Sequence, residues 1–393
     1  MKIKIVTLGC KLNFAESSAL MNTLLARGHT RAKQGEEADI VIVNTCTVTD
    51  TADHKDRQAI HRVKRENPNA KVIVTGCYAK LKPEEIAAMA EVDHVVAKPD
   101  KEFRHAYSKD DRTRCFLKVQ DGCNYFCTYC TIPMARGRSR NPAISEVVAE
   151  AEKALDEGAK EIVLTGVNTG DFGRSTGEKF IDLLKALDVL RRSDGTEDYR
   201  IRISSCEPNL LTDETIDFIA GSRHFAPHFH IPLQSGSDEV LRIMHRHYDT
   251  QLFSERIAHI RQVLPEAFIG VDCMVGVRGE TEERWEEYVR YVKSLQVSRL
   301  HVFTYSERAN TKMLEMDLYV VPQKERERRS KVLHRISDEK LAAFYAENKG
   351  RKATVLWESK QDKGLMYGFT ENYIKTSRPY DRQRVNTFEQ TVL

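Results

Sequence analysis

Three short apolar runs near the start of the chain each end on a cysteine. Residues 2–10 close on Cys10, residues 39–46 on Cys46 and residues 71–77 on Cys77. Runs this short and β-branched read as buried strands. Helix-like segments at 16–27 and 52–66 separate them, which is the βαβ pattern of a parallel sheet. In such a sheet the carboxyl ends of the strands share one edge, where ligands bind. One thiol per strand end brings three thiols to that edge, a geometry suited to a metal cluster. The alternative is three buried cysteines acting as small hydrophobes.

A second trio, Cys123, Cys127 and Cys130, lies in one tight loop with spacings of four and three. Such a loop places three thiolates on three irons of a 4Fe–4S cluster and leaves the fourth iron open to a small ligand. Iron–sulfur clusters are ordinarily held by four thiolates. A structural zinc also takes four ligands and usually shows a paired C-x₂-C. No Cys or His occurs in residues 131–138, so the zinc alternative needs a distant fourth ligand.

Two or three domains are expected for 393 residues. Apolar residues make up 41% and charged residues 30%, as in an ordinary soluble protein. No run of about 18 apolar residues occurs, so no membrane partner is expected. The nine cysteines are not spaced as a secreted disulfide framework. Cys115, Cys206 and Cys273 lie in apolar stretches and read as core. Leu8-Gly9-Cys10 imitates a lipoprotein cleavage site, but Lys2 and Lys4 interrupt a segment far too short for an apolar leader. Two oxygen-sensitive clusters without a signal peptide place the protein in a reducing cytoplasm. The net charge of +3 does not announce a nucleic-acid binder. Local clusters do more: Arg136, Arg138 and Arg140 after the second loop, and His61, Arg62, Lys64 and Arg65 on a helix.

From residue 113 the chain alternates strand and helix six times. Strands are predicted at 116–120, 161–165, 200–204, 228–233, 268–275 and 300–304. Helices are predicted at 144–157, 180–192, 213–220, 238–245, 250–263 and 282–295. Eight units close a TIM barrel; six fit an open, partial one. The second cysteine loop follows the first strand at its carboxyl end, where barrel chemistry belongs. Other strand ends carry Gly166, Asn168, Ser205, Glu207 and Gln234. His228 and His230 alternate as on a strand and read as structural. Residues 321–349 read as one long helix connecting domains. β-like runs follow at 353–357, 365–370, 373–376 and 385–393, forming a small all-β unit. Trp357 reads as its core.

The spacing C-x₃-C-x₂-C, with Tyr129 before the last cysteine, resembles the signature of radical S-adenosylmethionine (SAM) enzymes. Residues 121–140, with Arg136 and Gly137 close behind the loop, look like the methylthiotransferase family. So do the segments around Cys10, Cys46 and Cys77. The resemblance spans essentially the whole chain. It implies an α/β chain of three units: an N-terminal methylthiotransferase domain at 1–100, a radical SAM partial (β/α)6 barrel at 113–345, and a TRAM-like RNA-binding domain at 346–393, short for that domain. It implies two 4Fe–4S clusters, one on Cys10, Cys46 and Cys77 and one on Cys123, Cys127 and Cys130. SAM would meet Tyr129, Gly166, Asn168, Ser205, Glu207 and Gln234. One SAM methylates a sulfur at the auxiliary cluster. A second yields a deoxyadenosyl radical that takes hydrogen from C2 of adenine, and the carbon radical then takes the methylthio group. The implied partners are a tRNA anticodon stem-loop and an electron donor such as flavodoxin or ferredoxin. Cys10 to Asn13 and residues 135–140 look most like the branch acting on N6-threonylcarbamoyladenosine. The isopentenyladenosine branch and a ribosomal-protein aspartate branch are the alternatives, and a non-catalytic iron–sulfur carrier is the reading from another class. Asn13, Arg136, Arg138, Arg140 and Arg278 are expected to meet the substrate. Arg278 stands where the family usually has proline. Trp357, Tyr367, Phe369, Tyr373 and Lys375 are offered either to RNA or to the core.

Overall fold

A computed structural model of the chain describes residues 1–33, 35–97, 103–108 and 113–393. The expected end of the first unit at residue 100 lies outside the described residues.

The first sheet holds β1 (Lys2–Thr7), β2 (Thr30–Arg31), β3 (Ile40–Thr45), β4 (Lys71–Gly76) and β5 (His94–Val96). Its order is β2-β1-β3-β4-β5, all parallel. Alternate residues of a strand face opposite sides. Val41, Val43, Val72 and Val74 pack with Ile60 and Val63 of the helix Asp50–Glu66. Ile40, Ile42 and Ile73 pack with Met21 and Leu24 of the helix Lys11–Ala26. Both faces of β3 and β4 are therefore covered, which is why Ile40–Val43 and Val72–Val74 read as unbroken apolar runs. Each fully buried Val or Ile contributes about 1.5–3 kcal/mol. Thr49 caps the helix Asp50–Glu66 by accepting from the Ala52 amide. The helix Lys11–Ala26 starts directly after Cys10, earlier than the expected residue 16, and Cys10 supplies no side-chain cap.

The central unit has six parallel strands: β6 (Arg114–Lys118), β7 (Glu161–Thr165), β8 (Arg200–Ile203), β9 (His228–Gln234), β10 (Phe268–Val275) and β11 (Arg299–Thr304). They form two three-stranded ladders, β6-β7-β8 and β9-β10-β11. Parallel bridges Ile201–Phe225 and Ser205–His230 join them into one arc. Among the described residues no ladder joins β11 to β6, so the arc is an open partial barrel. Cys115, Leu117, Ile162, Leu164, Ile201 and Ile231 face outward into the helical layer. The intervening residues face inward. There Phe116 and Val163 are covered by Phe14, Ala15 and Ala19 of the helix Lys11–Ala26. The first unit thus lays a helix across the inner wall of the second.

The helix Gln323–Glu347 does more than connect. Ser337 Oγ donates to Leu300 O at 2.7 Å and accepts from Leu300 N at 3.1 Å. Leu333 and Ile336 enter the main core, so this helix closes the outside of β11.

A four-stranded antiparallel sheet ends the chain: β12 (Lys352–Asp362), β13 (Leu365–Phe369), β14 (Lys375–Pro379) and β15 (Phe388–Val392), in the order β14-β13-β12-β15. Trp357 is buried in it, as expected. Its link to the barrel has an apolar part, where Phe268 of β10 packs with Phe344 and Ile374, and a polar part. Glu161 is fully buried between Arg200 at 2.6 Å and Arg202 at 3.0 Å. Burial alone would raise the Glu161 carboxyl, but Arg202 and Arg200 outweigh it and hold it far below the usual range. The same arginines donate to Thr354 O, Phe369 O, Thr370 O and Glu371 O. Arg114 donates to the Tyr373 hydroxyl at 3.0 Å. Tyr373 and Phe369 are therefore spent on the barrel floor rather than offered to RNA. Tyr367 instead lies under the Lys375 ammonium, 4.1 Å from its ring centre. Among the described residues no helix is long and apolar enough to cross a membrane.

Candidate functional site

Cys10, Cys46 and Cys77 follow β1, β3 and β4 at one sheet edge. Gly9 has φ +95° and lies so close to Cys46 that a Cβ there would sit 2.9 Å from its Sγ. Only glycine tolerates both the left-handed backbone and that approach. Asn13, fully buried, donates to Leu8 O at 2.8 Å and Thr45 O at 2.9 Å, pinning the loops that carry Cys10 and Cys46. Burial pushes the Cys46 thiol up to about 12, and the neighbouring Cys10 and Cys77 push the same way. Thiolates are the metal-binding form, so burial of Cys46 favours its thiolate only beside a cation.

The second loop springs from the end of β6. Asp121 and Arg140 pair backbones and close its neck. Gly122, φ +69°, approaches Arg138 O so closely that a Cβ would lie 2.1 Å from it. Cys127 is buried, and Cys123 and Cys130 are half-buried. Burial raises Cys123 to about 11 and Cys130 to about 12, and the thiols reinforce one another. Backbone amides already point at sulfur: Tyr125 N to Cys123 at 3.5 Å and Ile132 N to Cys130 at 3.4 Å. Among the described residues no three His, Cys, Asp or Glu side chains are grouped as a single-ion site. A four-iron cluster asks for something else, thiolates spread over separate irons.

Polar side chains ring the carboxyl ends of β7, β8 and β9. Asn168 Nδ2, Ser204 Oγ and Gln234 Oε1 are buried without hydrogen-bond partners. Buried polar atoms are nearly always satisfied, so three orphans on neighbouring strand ends suit a polar ligand. Glu207 is ion-paired to Arg246. Burial raises its carboxyl, with Arg246 opposing. Gly166 sits against Gln120, where a Cβ would lie 2.9 Å from its Oε1. Ser205 accepts at its carbonyl from the Thr169 hydroxyl at 2.8 Å. Tyr129 packs beside Val240, Met244 and Val277 at the edge of the same space.

The residues expected to meet the substrate divide. Arg136 is 5% exposed and donates to Asp121 at 2.9 Å, Glu16 at 3.2 Å and Asn13 at 2.6 Å. Arg140 pairs with Asp121 at 2.9 Å. Arg278 pairs with Glu307 at 3.0 Å. Arg138 alone is exposed, its guanidinium 5.6 Å from the ring centre of the exposed Phe126.

Sequence reading missed three residues. Arg246 donates to Cys127 Sγ at 3.1 Å as well as gripping Glu207. Gln120 accepts from Val167 N at 2.9 Å and Asn168 N at 3.0 Å, and donates to Gly122 O at 2.8 Å, tying the glycine-rich turn to the cysteine loop. Arg308 donates to Thr47 and Asp53, both at 2.7 Å, and locks the segment after Cys46 to the barrel. None sits in a recognisable motif; their partners are distant in sequence.

Residues 2–97 match the uncharacterised protein family UPF0004, and residues 117–292 match the radical SAM superfamily. The threonylcarbamoyladenosine tRNA methylthiotransferase of Bacillus subtilis is 37% identical over 94% of this chain and 88% of its own. That of Aquifex aeolicus is 34% identical over 96% and 97%. A tRNA-2-methylthio-N(6)-dimethylallyladenosine synthase of Desulfitobacterium hafniense is 29% identical over 99% and 94%. Among solved structures, the radical SAM methyltransferase TsrM of Kitasatospora setae superposes with a TM-score of 0.55 at 16% identity, over 79% of this chain and 76% of that one, a likeness of fold. Two cysteine trios, the open six-stranded arc and near full-length relatives lead to one assignment: the chain belongs to the radical SAM methylthiotransferase family.

Proposed function

We propose that this protein is a tRNA methylthiotransferase that adds a methylthio group to C2 of N6-threonylcarbamoyladenosine beside the anticodon, with two 4Fe–4S clusters and SAM. The observation that carries it is the joint between the two cysteine loops, where Arg136 bridges Asp121 beside Cys123 to Asn13 beside Cys10. A C2–H bond is not acidic enough for base chemistry, so it needs a radical, and sulfur must be held nearby. When bound, SAM on a reduced cluster supplies a deoxyadenosyl radical, and the auxiliary cluster supplies the sulfur.

Cys123, Cys127 and Cys130 hold one cluster, and Cys10, Cys46 and Cys77 the other. Tyr129, Gly166, Asn168, Ser205, Glu207 and Gln234 line the SAM site. Arg246 orients Glu207 and donates to Cys127. Arg138, exposed beside the loop, takes an RNA phosphate. The units are 1–100, 113–345 and 346–393. The last, TRAM-like, presents Tyr367 and Lys375 to RNA. A flavodoxin or ferredoxin supplies the electron in a reducing cytoplasm.

The threonylcarbamoyl substrate is supported by relatives of that name at 33–37% identity. Relatives named for the dimethylallyl substrate, at 29–31%, keep that branch as the second reading. Mass spectrometry of tRNA nucleosides from cells lacking and regaining this gene tests it. Loss and return of 2-methylthio-N6-threonylcarbamoyladenosine is expected, and an unchanged nucleoside overturns the reading.

A further inference from the structure

The loop that follows β11 touches both cysteine trios. Arg308, 5% exposed, donates from Nη2 to Thr47 Oγ1 and to Asp53 Oδ2, each at 2.7 Å. Thr47 in turn donates to Asp53 Oδ1 at 2.7 Å, which closes a ring of three buried side chains. Thr47 directly follows Cys46, and the Cys46 amide donates to Asp56 of the same helix at 2.9 Å. Arg308 also pairs with Asp50, which accepts from Ser306 Oγ at 2.8 Å.

A short way further on, Met313 N donates to Thr128 O at 2.8 Å, inside the loop of Cys123, Cys127 and Cys130. The stretch between these contacts is braced. Thr311 Oγ1 donates to Arg308 O at 2.7 Å, and Leu314 N donates to Thr311 O at 3.1 Å. Asn310 turns the chain with φ +64°, a left-handed conformation that asparagine adopts more readily than most residues. Met313 is buried beside Tyr129, Val240, Met244 and Val277. Residues 308–313 thus form a strut with one foot beside Cys46 and the other between Cys127 and Cys130.

The strut stands opposite the Arg136 joint. Arg136 ties Asp121 to Asn13, and the helix that starts at Cys77 lies against the helix Ile132–Arg136. Those links follow the first strand of the arc, whereas Arg308 follows its last. The first unit is therefore held at both ends of the open barrel. A single attachment would act as a hinge. Two at opposite ends fix the angle as well as the distance.

We propose that Arg308 is a positioning residue: through Thr47 and Asp53 it holds the Cys46 corner of the sulfur-donating site at a fixed reach from the site of radical formation. This rests on the two-cluster reading. A carbon radical formed out of reach of sulfur is quenched, so a loosened strut consumes SAM without transfer. Such placement matters, since a shift of about 1 Å can cost about a hundredfold in rate.

The test compares full-length wild type, Arg308→Met, Arg308→Lys and Thr47→Val, each reconstituted anaerobically. Lys82 stays 3.4 Å from Asp53, so Arg308→Met does not strand that acid. 5′-Deoxyadenosine and methylthio product are measured in one reaction, on the stem-loop that wild type methylthiolates. Arg308→Met should keep its iron and its cleavage of SAM but form about tenfold or more 5′-deoxyadenosine per methylthio group. Arg308→Lys should recover part of the coupling. Hydrogen exchange of the resting enzyme, without reductant, gives a reading independent of activity. Amides of residues 46–53 should exchange faster in Arg308→Met, and those of residues 132–137 should not change. A merely structural role would lower iron, cleavage and transfer together and leave the product ratio unmoved. An unmoved ratio in an iron-replete Arg308→Met enzyme overturns the strut, and so does unchanged exchange at residues 46–53. If Arg308→Met loses iron, Thr47→Val replaces it. That change removes one hydroxyl and keeps the side-chain shape, so the same rise in the ratio is expected, and an unmoved ratio overturns the strut. A wild type that never exceeds about four irons refutes the two-cluster reading, and this inference with it. Full iron in wild type with normal coupling in every variant refutes the strut alone.

Discussion

Arg136 donates from Nη2 to the side-chain oxygen of Asn13 at 2.6 Å, and that bond joins the two cysteine loops. Asn13 grips the backbone on either side through Leu8 O and Thr45 O. Arg136 also neutralises Asp121, two residues before Cys123. Arg136→Ala leaves Asp121 and Glu16 short of a buried partner. Breaking such a pair costs about 3–5 kcal/mol, and the lower end is expected because Lys118 still contacts both acids. Urea unfolding measures it. Unchanged stability contradicts the strut.

Acid should weaken the same joint. Burial alone would raise the Asp121 carboxyl, but Arg136, Lys118 and Arg140 outweigh it and bring it to about 2. A carboxylate lowered on folding adds stability that is complete above its unfolded pKa of about 3.9 and is lost as pH falls toward 2. Wild type should lose about 2–3 kcal/mol more than Asp121→Asn between pH 5 and pH 2, roughly 1.36 kcal/mol per unit. Parallel acid limbs for the two proteins would contradict it.

Two clusters of four irons predict about eight irons per chain after anaerobic reconstitution. Changing Cys123, Cys127 and Cys130 together to Ala should leave about four. Iron analysis decides between this and a single cluster, for which wild type never exceeds about four.

The chemistry should separate. Cys77→Ala should abolish methylthio transfer yet still cleave SAM to 5′-deoxyadenosine, because the trios sit on different units. Cys127→Ala should abolish cleavage. Chromatography of 5′-deoxyadenosine reads both. No product from Cys77→Ala, with the other cluster intact by spectroscopy, sinks the division of labour.

Much of this was legible in the sequence because it is written locally. The strands leading to Cys46 and Cys77 are covered on both faces, so Ile40–Val43 and Val72–Val74 are continuous apolar runs, and the strand leading to Cys10 shows the same residues broken only by Lys2 and Lys4. The loop of Cys123, Cys127 and Cys130 is one short segment. β7 and β10 fall at the expected residues. What escaped is written non-locally. The edge strands β2 and β5 are too short to show a pattern. The first helix starts early because Asn13 must reach Thr45 and Arg136. The arginines beside the cysteine loop looked available to substrate, since nothing nearby in sequence shows that Glu16 and Asn13 consume Arg136. Tyr373 resembled an RNA-stacking residue until Arg114 appeared beneath it, far away in the chain.

The central claim is methylthio transfer to the base carrying threonylcarbamoyl. Its most direct test is turnover by purified, reconstituted enzyme of two anticodon stem-loops, one with threonylcarbamoyladenosine and one with isopentenyladenosine. The first should gain a methylthio group and the second stay almost untouched. Equal turnover, or preference for the apolar base, would contradict the substrate assignment while leaving the radical chemistry in place.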